Sequence, residues 1–333
     1  MARFGVRLEN DPNLSPQDYQ ELACQAEANG FDVVWVPEGG GRDSLTSLAT
    51  MAMKTESIKL GTGILPIFAR TPTNTAMGAS GMSAVSGERF ILGLGVGHAP
   101  TVESRDGIPF EKPMSRMRET IQIIKGLLAG EEVNFRGKHF NIEGASMGPA
   151  TPKSKVPIYI AALGPQMLEM VGELADGVLM NWTAVNYLEK AVGHIKRGAD
   201  KAGRDIDQID IAGYVRVAVG GDVSESRDSL RRQVARYASN PFYRNFFAET
   251  GFDKEMSAAA TALRDGNLDK AADSITVEMQ DQVAIVGTVD ECRTALKKRR
   301  DAGLQMPVIA PYAVGDNKAS HRHVIDALAP ESP

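Results

Sequence analysis

A chain of 333 residues, 43% hydrophobic and 24% charged, is long enough for two ordinary domains or one large barrel, and its composition is that of a globular protein. Its formal net charge of −5 leaves no electrostatic footprint for nucleic acid, and no apolar run approaches the ~20 residues that cross a bilayer. The start at Met1 runs into a strand without an apolar signal core, and Cys24 and Cys292 stand far apart in predicted helices. The expectation is a cytoplasmic protein with no disulfide framework and no thiolate metal site.

Strand and helix patterns then alternate along the chain. Residues 4–8 are a predicted strand, followed by a helix over 16–28 with Ser15 as N-cap, Pro16 in its first turn and Gly30 past its end. Strand 33–36 closes at Pro37-Glu38 and leads to a helix over 44–54; strand 58–65 leads to a helix over 72–85. The fourth strand, 89–95, is an apolar run suited to burial on both faces, and it ends in Gly93, Gly95 and Gly97 before His98. No helix is predicted on these glycines, because a polar, proline-containing stretch follows to Pro113; that argues against a dinucleotide-binding turn.

A helix over 113–129 carries Met117, Ile121, Ile124 and Leu128 on one face, after which residues 130–155 break the rhythm with a short hairpin over 133–140. Strands 157–162, 177–182 and 209–219 alternate with helices 165–174, 186–202 and 224–238. A helix over 289–302 precedes the eighth strand, 307–311, and a last helix lies near 320–328. Residues 240–286 are the longest insertion, helical at 253–264, and insertions of that length serve binding sites or lids.

This alternation implies parallel strands with right-handed crossovers, and eight of them close as an α/β fold of the (β/α)8 TIM-barrel type. The alternative is an open doubly wound sheet followed by a smaller domain. No composition shift marks a boundary, so one domain over 1–333 is expected, with insertions at 130–155 and 240–286.

Active sites of such barrels lie at the carboxyl ends of the strands. The residues there are Arg7 and Glu9; Pro37-Glu38 with glycines 39, 40 and 41; Gly61 to Ile64; Gly95 to His98; Ala161 to Pro165; Asn181 and Trp182; Arg216; and Tyr312. Mostly small or apolar, they suit a flat aromatic cofactor against backbone, while a merely tight turn is the competing reading of the glycines. The first strand has no His-x-His, and His321 and His323 point to different faces of a helix, so surface histidines are expected there and no metal site. The basic run 297–300 is expected to be a solvated helix face. Glu38 and His98 are candidates for proton transfer, being titratable groups in an otherwise apolar pocket. Arg7, Trp182 and Tyr312 are candidates for holding substrate.

Taken together in order and spacing, Phe31 to Glu38, Ile58 to Ile64, Gly87 to Gly95, Pro157 to Pro165 and Ala175-Asp176-Gly177 resemble the luciferase-like flavin and deazaflavin oxidoreductases over essentially the whole chain. The segment 37–48 and the turn 163–167 are most similar to the branch using coenzyme F420, which includes methylenetetrahydromethanopterin reductase. The resemblance implies hydride transfer between F420 and a small organic substrate. FMN is the alternative cofactor, in a two-component monooxygenase served by a partner flavin reductase; a flavin-binding protein without turnover is a third reading. It further implies a non-prolyl cis peptide between Gly63 and Ile64, with Ile64 as an apolar back wall. Gly95, Val96, Gly97 and His98 would border the ring. Ala162, Leu163, Gly164, Pro165 and Gln166 would lie near the cofactor phosphate, at a helix amino end. Arg42 and Arg70 would attract an anionic tail. Those reductases carry a glutamate on the first strand where this chain has Arg7, leaving Glu9 and Glu38 as the nearest carboxylates. A homodimer is also implied, with Met77, Met82 and Val85 as a contact stripe.

Overall fold

Short apolar strands buried on both faces need partners on both edges, and here each finds them. Gly5–Arg7, Val33–Val36, Lys59–Thr62, Phe90–Gly95, Ile158–Ile160, Gly177–Met180, Asp210–Val219 and Met306–Pro311 pair in parallel in chain order. The pairing of Gly5 with Val308 closes the ring, so the barrel forms rather than the open sheet. The computed structural model describes residues 3–9, 11–39, 41–312 and 315–330; Met1, Ala2 and the strand-end Gly40 lie outside the described residues.

Helix starts follow local chemistry. Ser15 forms a capping box with Asp18 ahead of Pro16–Ala28, Thr71 caps Pro72–Val85, and Thr288 forms a box with Glu291 ahead of Val289–Asp301. Alternation along the strands sends Val33, Trp35, Ile91, Tyr159, Leu179, Ala212, Tyr214, Met306 and Val308 into one buried cluster inside the barrel. This plug leaves the carboxyl end of the ring as the place for chemistry.

The third strand stops at Thr62 and resumes at Leu65–Pro66. Gly61 faces Ile91 and Leu65 faces Leu94, so the third strand holds one extra residue, a bulge. Thr62 Oγ1 bridges the gap, donating to the Gly93 carbonyl at 2.9 Å and accepting from the Gly93 N–H at 2.8 Å. The expected cis peptide is absent: the bond from Gly63 to Ile64 is trans, and the described residues contain no cis peptide. The Thr62 bridge, with the Gly63 N–H donating to the Val36 carbonyl at 2.7 Å, accommodates the extra residue instead.

The hairpin Val133–Arg136 and Asn141–Ala145 forms its own antiparallel pair. The Glu119 carboxylate anchors its turn, accepting the N–H groups of Lys138, His139 and Phe140 at 2.7, 2.9 and 3.2 Å. The long insertion is the helices Pro241–Phe247, Asp253–Arg264, Leu268–Asp273 and Val277–Val283. It ends in a strand absent from the sequence reading, Ala284–Gly287, which pairs with Arg216 to Val219 at the far half of the seventh strand.

Other expectations need correction. A six-residue helix, Ala99–Ser104, begins directly after His98, where Gly97 at φ +73° turns the chain and Pro100 presets the first turn. Arg299 is buried and donates to the carbonyls of Asp281, Gln282 and Ala284 at 2.9, 3.3 and 2.9 Å, closing the end of the insertion's last helix, Val277–Val283. His321 is fully buried, because it lies on the inward stripe of Asn317–Ala327 with Val324 and Ile325. Its Nδ1 hydrogen-bonds the Asn317 carbonyl at 2.7 Å, and its Nε2 accepts the Glu9 N–H at 3.4 Å. Met82 is likewise core, whereas Met77 and Val85 are exposed.

Candidate active site

The inward positions at the strand ends divide the mouth into two halves. Strands three to five contribute Gly63, Gly95 and Ala161; strands six to eight and one contribute Asn181, Arg216, Tyr312, Arg7 and Glu9. The glycines first serve the protein's own packing. A Cβ at Gly63 would strike the Tyr214 hydroxyl, which donates to the Gly63 carbonyl at 2.9 Å. A Cβ at Gly95 would lie 2.7 Å from Ile64 Cγ1 and closer still to its Cδ1, so Ile64 fills that space as an apolar wall. Half-buried Ile64 and Val96 thus give the small-residue half an apolar face.

Beyond it, Ala162 and Leu163 are buried and lead through Gly164 into Pro165–Leu174, where Gln166 is exposed. That helix has no side-chain cap, so its first-turn N–H groups, Pro165 excepted, are open to an anion.

The other half is charged and roofed. Arg7 pairs with Glu9 and lies 5.2 Å over the Tyr214 ring. Burial pushes the Glu9 carboxyl up, but Arg7, with Arg216 and His321, outweighs it and holds the pKa below the usual range. Arg216 is 6% exposed and stacks 3.5 Å from the Trp182 ring centroid. Burial lowers its pKa to about 10, so it remains cationic at neutral pH. Trp182 is buried with φ +57°, a left-handed backbone that aims its ring under Arg216. Asn181 Nδ2 donates to the Tyr243 hydroxyl at 2.8 Å. Tyr312 shares a 2.9 Å hydrogen bond with Ser229. A cavity of about 740 Å³ opens beside Glu9 and Tyr312, lined also by Asp11, Asn13, Asp18, Gln233, Asn317 and Lys318; Arg7, Trp182 and Arg216 are not part of its wall. It lies on the strand-one and strand-eight side and excludes Gly63, Gly95 and Ala162.

A chain of rings crosses the mouth: Trp182 to Tyr237 at 5.2 Å, Tyr237 to Tyr243 at 4.7 Å, and Tyr243 to His98 at 5.7 Å. Tyr237 and Tyr243 were not singled out in the sequence, although Tyr237, Phe242, Tyr243, Phe246, Phe247 and Phe252 make that stretch unusually aromatic for a chain averaging 6%. His98 is exposed at its edge, but the roof withdraws water from the ring and lowers its pKa. Asn240 Nδ2 lies 3.4 Å from His98 Nδ1, an arrangement that assigns Nδ1 as acceptor and the proton to Nε2.

Glu38 is engaged differently. Its carboxylate meets Arg70 Nη2 at 3.2 Å and accepts the Ser44 N–H at 3.3 Å, while Arg70 also pairs with Asp43. Arg70 is thereby committed within the protein, and Arg42 donates to the Pro12 carbonyl at 3.2 Å.

Among the described residues, Arg7 Nε, Asn181 Oδ1, Thr183 Oγ1, Arg216 Nη1 and Gln233 Oε1 are buried without a hydrogen-bond partner. Each such atom in a native interior calls for a partner, and those of Arg7, Asn181 and Arg216 lie on inward positions toward the carboxyl ends of barrel strands, where a ligand can supply one.

A barrel of this topology with such a mouth is that of the luciferase-like proteins, and the chain belongs to that family: the model for luciferase-like monooxygenases matches residues 1–306. Within it, the chain is 35% identical over 320 residues to the 5,10-methylenetetrahydromethanopterin reductase of Methanolobus tindarius, covering 95% of each. The structure of the coenzyme F420-dependent tetrahydromethanopterin reductase from Methanopyrus kandleri superposes with a TM-score of 0.83 at 27% identity, over 98% of both chains. At the level of fold alone, the FMN-bound oxygenating constituent of 3,6-diketocamphane monooxygenase from Pseudomonas putida matches with a TM-score of 0.72 at 17% identity, covering 99% of this chain and 98% of that one.

Proposed function

We propose that this protein is a coenzyme F420-dependent oxidoreductase acting on a small organic substrate. The observation that carries the reading is the 35% identity to a methylenetetrahydromethanopterin reductase across 95% of the chain, joined to the superposition on a coenzyme F420-dependent tetrahydromethanopterin reductase. The mouth fits such a group with an apolar wall at Ile64 and Val96 and an uncapped helix amino end at Gly164 to Gln166.

When bound, the deazaflavin supplies or accepts the hydride. The chain does the rest. Ile64 and Val96 would support the ring, Gly95, Gly97 and His98 would border it, and the N–H groups at the start of Pro165–Leu174 would receive the phosphate. Trp182, Tyr237 and Tyr243 restrict water over the charged half, which strengthens each polar interaction there. His98, neutral at pH 7 with its proton on Nε2, is the group placed to exchange a proton with substrate. Glu9 holds Arg7, and Glu38 holds Arg70 and the loop into Ser44–Ala52, so both carboxylates act as positioning residues. Exposed Met77 and Val85 belong to the face through which two copies would pair.

FMN remains the second reading, favoured by the fold match to the FMN-bound oxygenase. Titrating purified protein with F420 and with FMN, followed by cofactor fluorescence, decides between them. Tight F420 binding with weak FMN binding is the expected result; the reverse preference overturns it.

A further inference from the structure

Arg216 is a buried cation to which the described structure gives no hydrogen bond. It projects into the barrel on the same parity as Ala212 and Tyr214, above the plug. Its face rests on Trp182 at 3.5 Å, and its Nη1 is buried without a partner. Five donors in a planar fork are otherwise spent on carboxylates, phosphates or carbonyls.

The surroundings do not neutralise it. Glu9 is the carboxylate acting on Arg216, and Glu9 is already engaged by Arg7, whose Nε is also unmatched. Two guanidinium groups therefore face one carboxylate, and the other groups acting on them, Tyr237, Tyr243 and Tyr214, add hydroxyls. A buried excess of one positive charge is costly unless a ligand anion completes it.

We propose that Arg216 recognises an oxyanion on the substrate, so that the enzyme acts on anionic molecules such as carboxylates. The same chemistry exists on the phosphate and acidic tail of the cofactor. Position separates the sources: Arg216 lies in the carboxyl half of the seventh strand, across the ring from the third, whereas the uncapped helix amino end follows the fifth. The substrate would thus be held by its anion on the charged half, with its reacting carbon toward the small-residue half. The word substrate rests on the deazaflavin reading; the anion site does not.

Benzoate and its neutral isostere benzamide are the probes, titrated into wild-type protein, Arg216→Met and Arg216→Lys by calorimetry, with F420 affinity measured in parallel by fluorescence. The expected result is saturable benzoate binding to wild type, little benzamide binding, and benzoate weakened at least about tenfold in Arg216→Met, with F420 affinity unchanged within about twofold. Ligand-free Arg216→Met is also expected to melt about 2 °C higher than wild type, because an unmatched buried charge has been removed; a purely structural arginine predicts a fall. Equal benzoate and benzamide affinity overturns the proposal, as does unchanged benzoate binding in Arg216→Met. Parallel loss of F420 and benzoate assigns the arginine to the cofactor and overturns the substrate assignment. If wild type binds benzoate but not F420, the deazaflavin reading fails while the anion site stands. Should Arg216→Met not fold, Arg216→Lys decides: weakened benzoate with intact F420 binding supports the site, and unaltered benzoate binding refutes it.

Discussion

Gly95→Ala tests whether Ile64 is the wall of the small-residue half. The new Cβ would lie 2.7 Å from Ile64 Cγ1 and 3.5 Å from Ala161 Cβ. Ile64 is half-buried at the mouth, so its side chain can turn away, at about 0.5–1.5 kcal/mol for a poor rotamer within an overpacking cost of roughly 1–3 kcal/mol. A stability loss of about 1–2 kcal/mol in urea unfolding is expected, with m unchanged. The displaced side chain enters the cofactor's space, and F420 affinity should fall at least about tenfold, or ~1.4 kcal/mol. Adding Ile64→Ala vacates the contested volume, so the double variant should be more stable than the sum of the singles by about 1 kcal/mol. Additivity within ~0.3 kcal/mol would refute the contact as the reason for glycine at 95. Gly93→Ala is the contrasting control, because its Cβ would land on the Thr62 carbonyl oxygen, which is backbone; it should cost roughly 3 kcal/mol or more.

Glu119→Ala removes the acceptor of three hairpin N–H groups and should cost about 2 kcal/mol, with faster amide exchange at Lys138 to Phe140. His321 is buried and its pKa lowered by that burial, so the unfolded chain takes up a proton that the folded one resists. Its contribution to stability is present above about 6.5 and lost as the pH falls toward the depressed value; melting temperatures from pH 8 to 5 should drop more steeply in wild type than in His321→Gln. With the His98 pKa also lowered from 6.5, the turnover rate should fall on the acid side of that value, and His98→Asn should remove this limb; an unchanged profile would discard His98 as the proton carrier. Glu38→Gln should lower stability by about 1 kcal/mol without shifting the pH profile, and a lost limb there would restore Glu38 as the titrating group.

What the sequence revealed was what is encoded locally. Apolar runs, the cap at Ser15 and the rhythm of alternation were enough for the barrel, and the order of the glycine-ended strand segments was enough for the family. Features made by distant residues were hidden. The burial of Arg299 depends on carbonyls at the end of a helix in the insertion, and that of His321 on the first strand's backbone. Thr62 reads as an ordinary strand threonine until its bonds to Gly93 replace part of the ladder. Arg216 was visible as a strand-end residue, but a missing partner is a property of the whole assembly. Ala284–Gly287 is four residues long and follows a helix directly, too brief for a period to register.

That short strand makes the roof a cassette. The chain leaves the seventh strand at Gly220, whose N–H binds the Gly287 carbonyl at 2.8 Å, and returns alongside it, so exit and re-entry lie about one strand spacing (~4.8 Å) apart. The stretch between those points is fastened to the barrel by bonds that include Ser229 to Tyr312, Asn181 to Tyr243 and Arg299 to the carbonyls of Asp281, Gln282 and Ala284. An exchange of this stretch that keeps those bonds therefore changes what covers the barrel mouth while leaving the closed ring of eight strands in place.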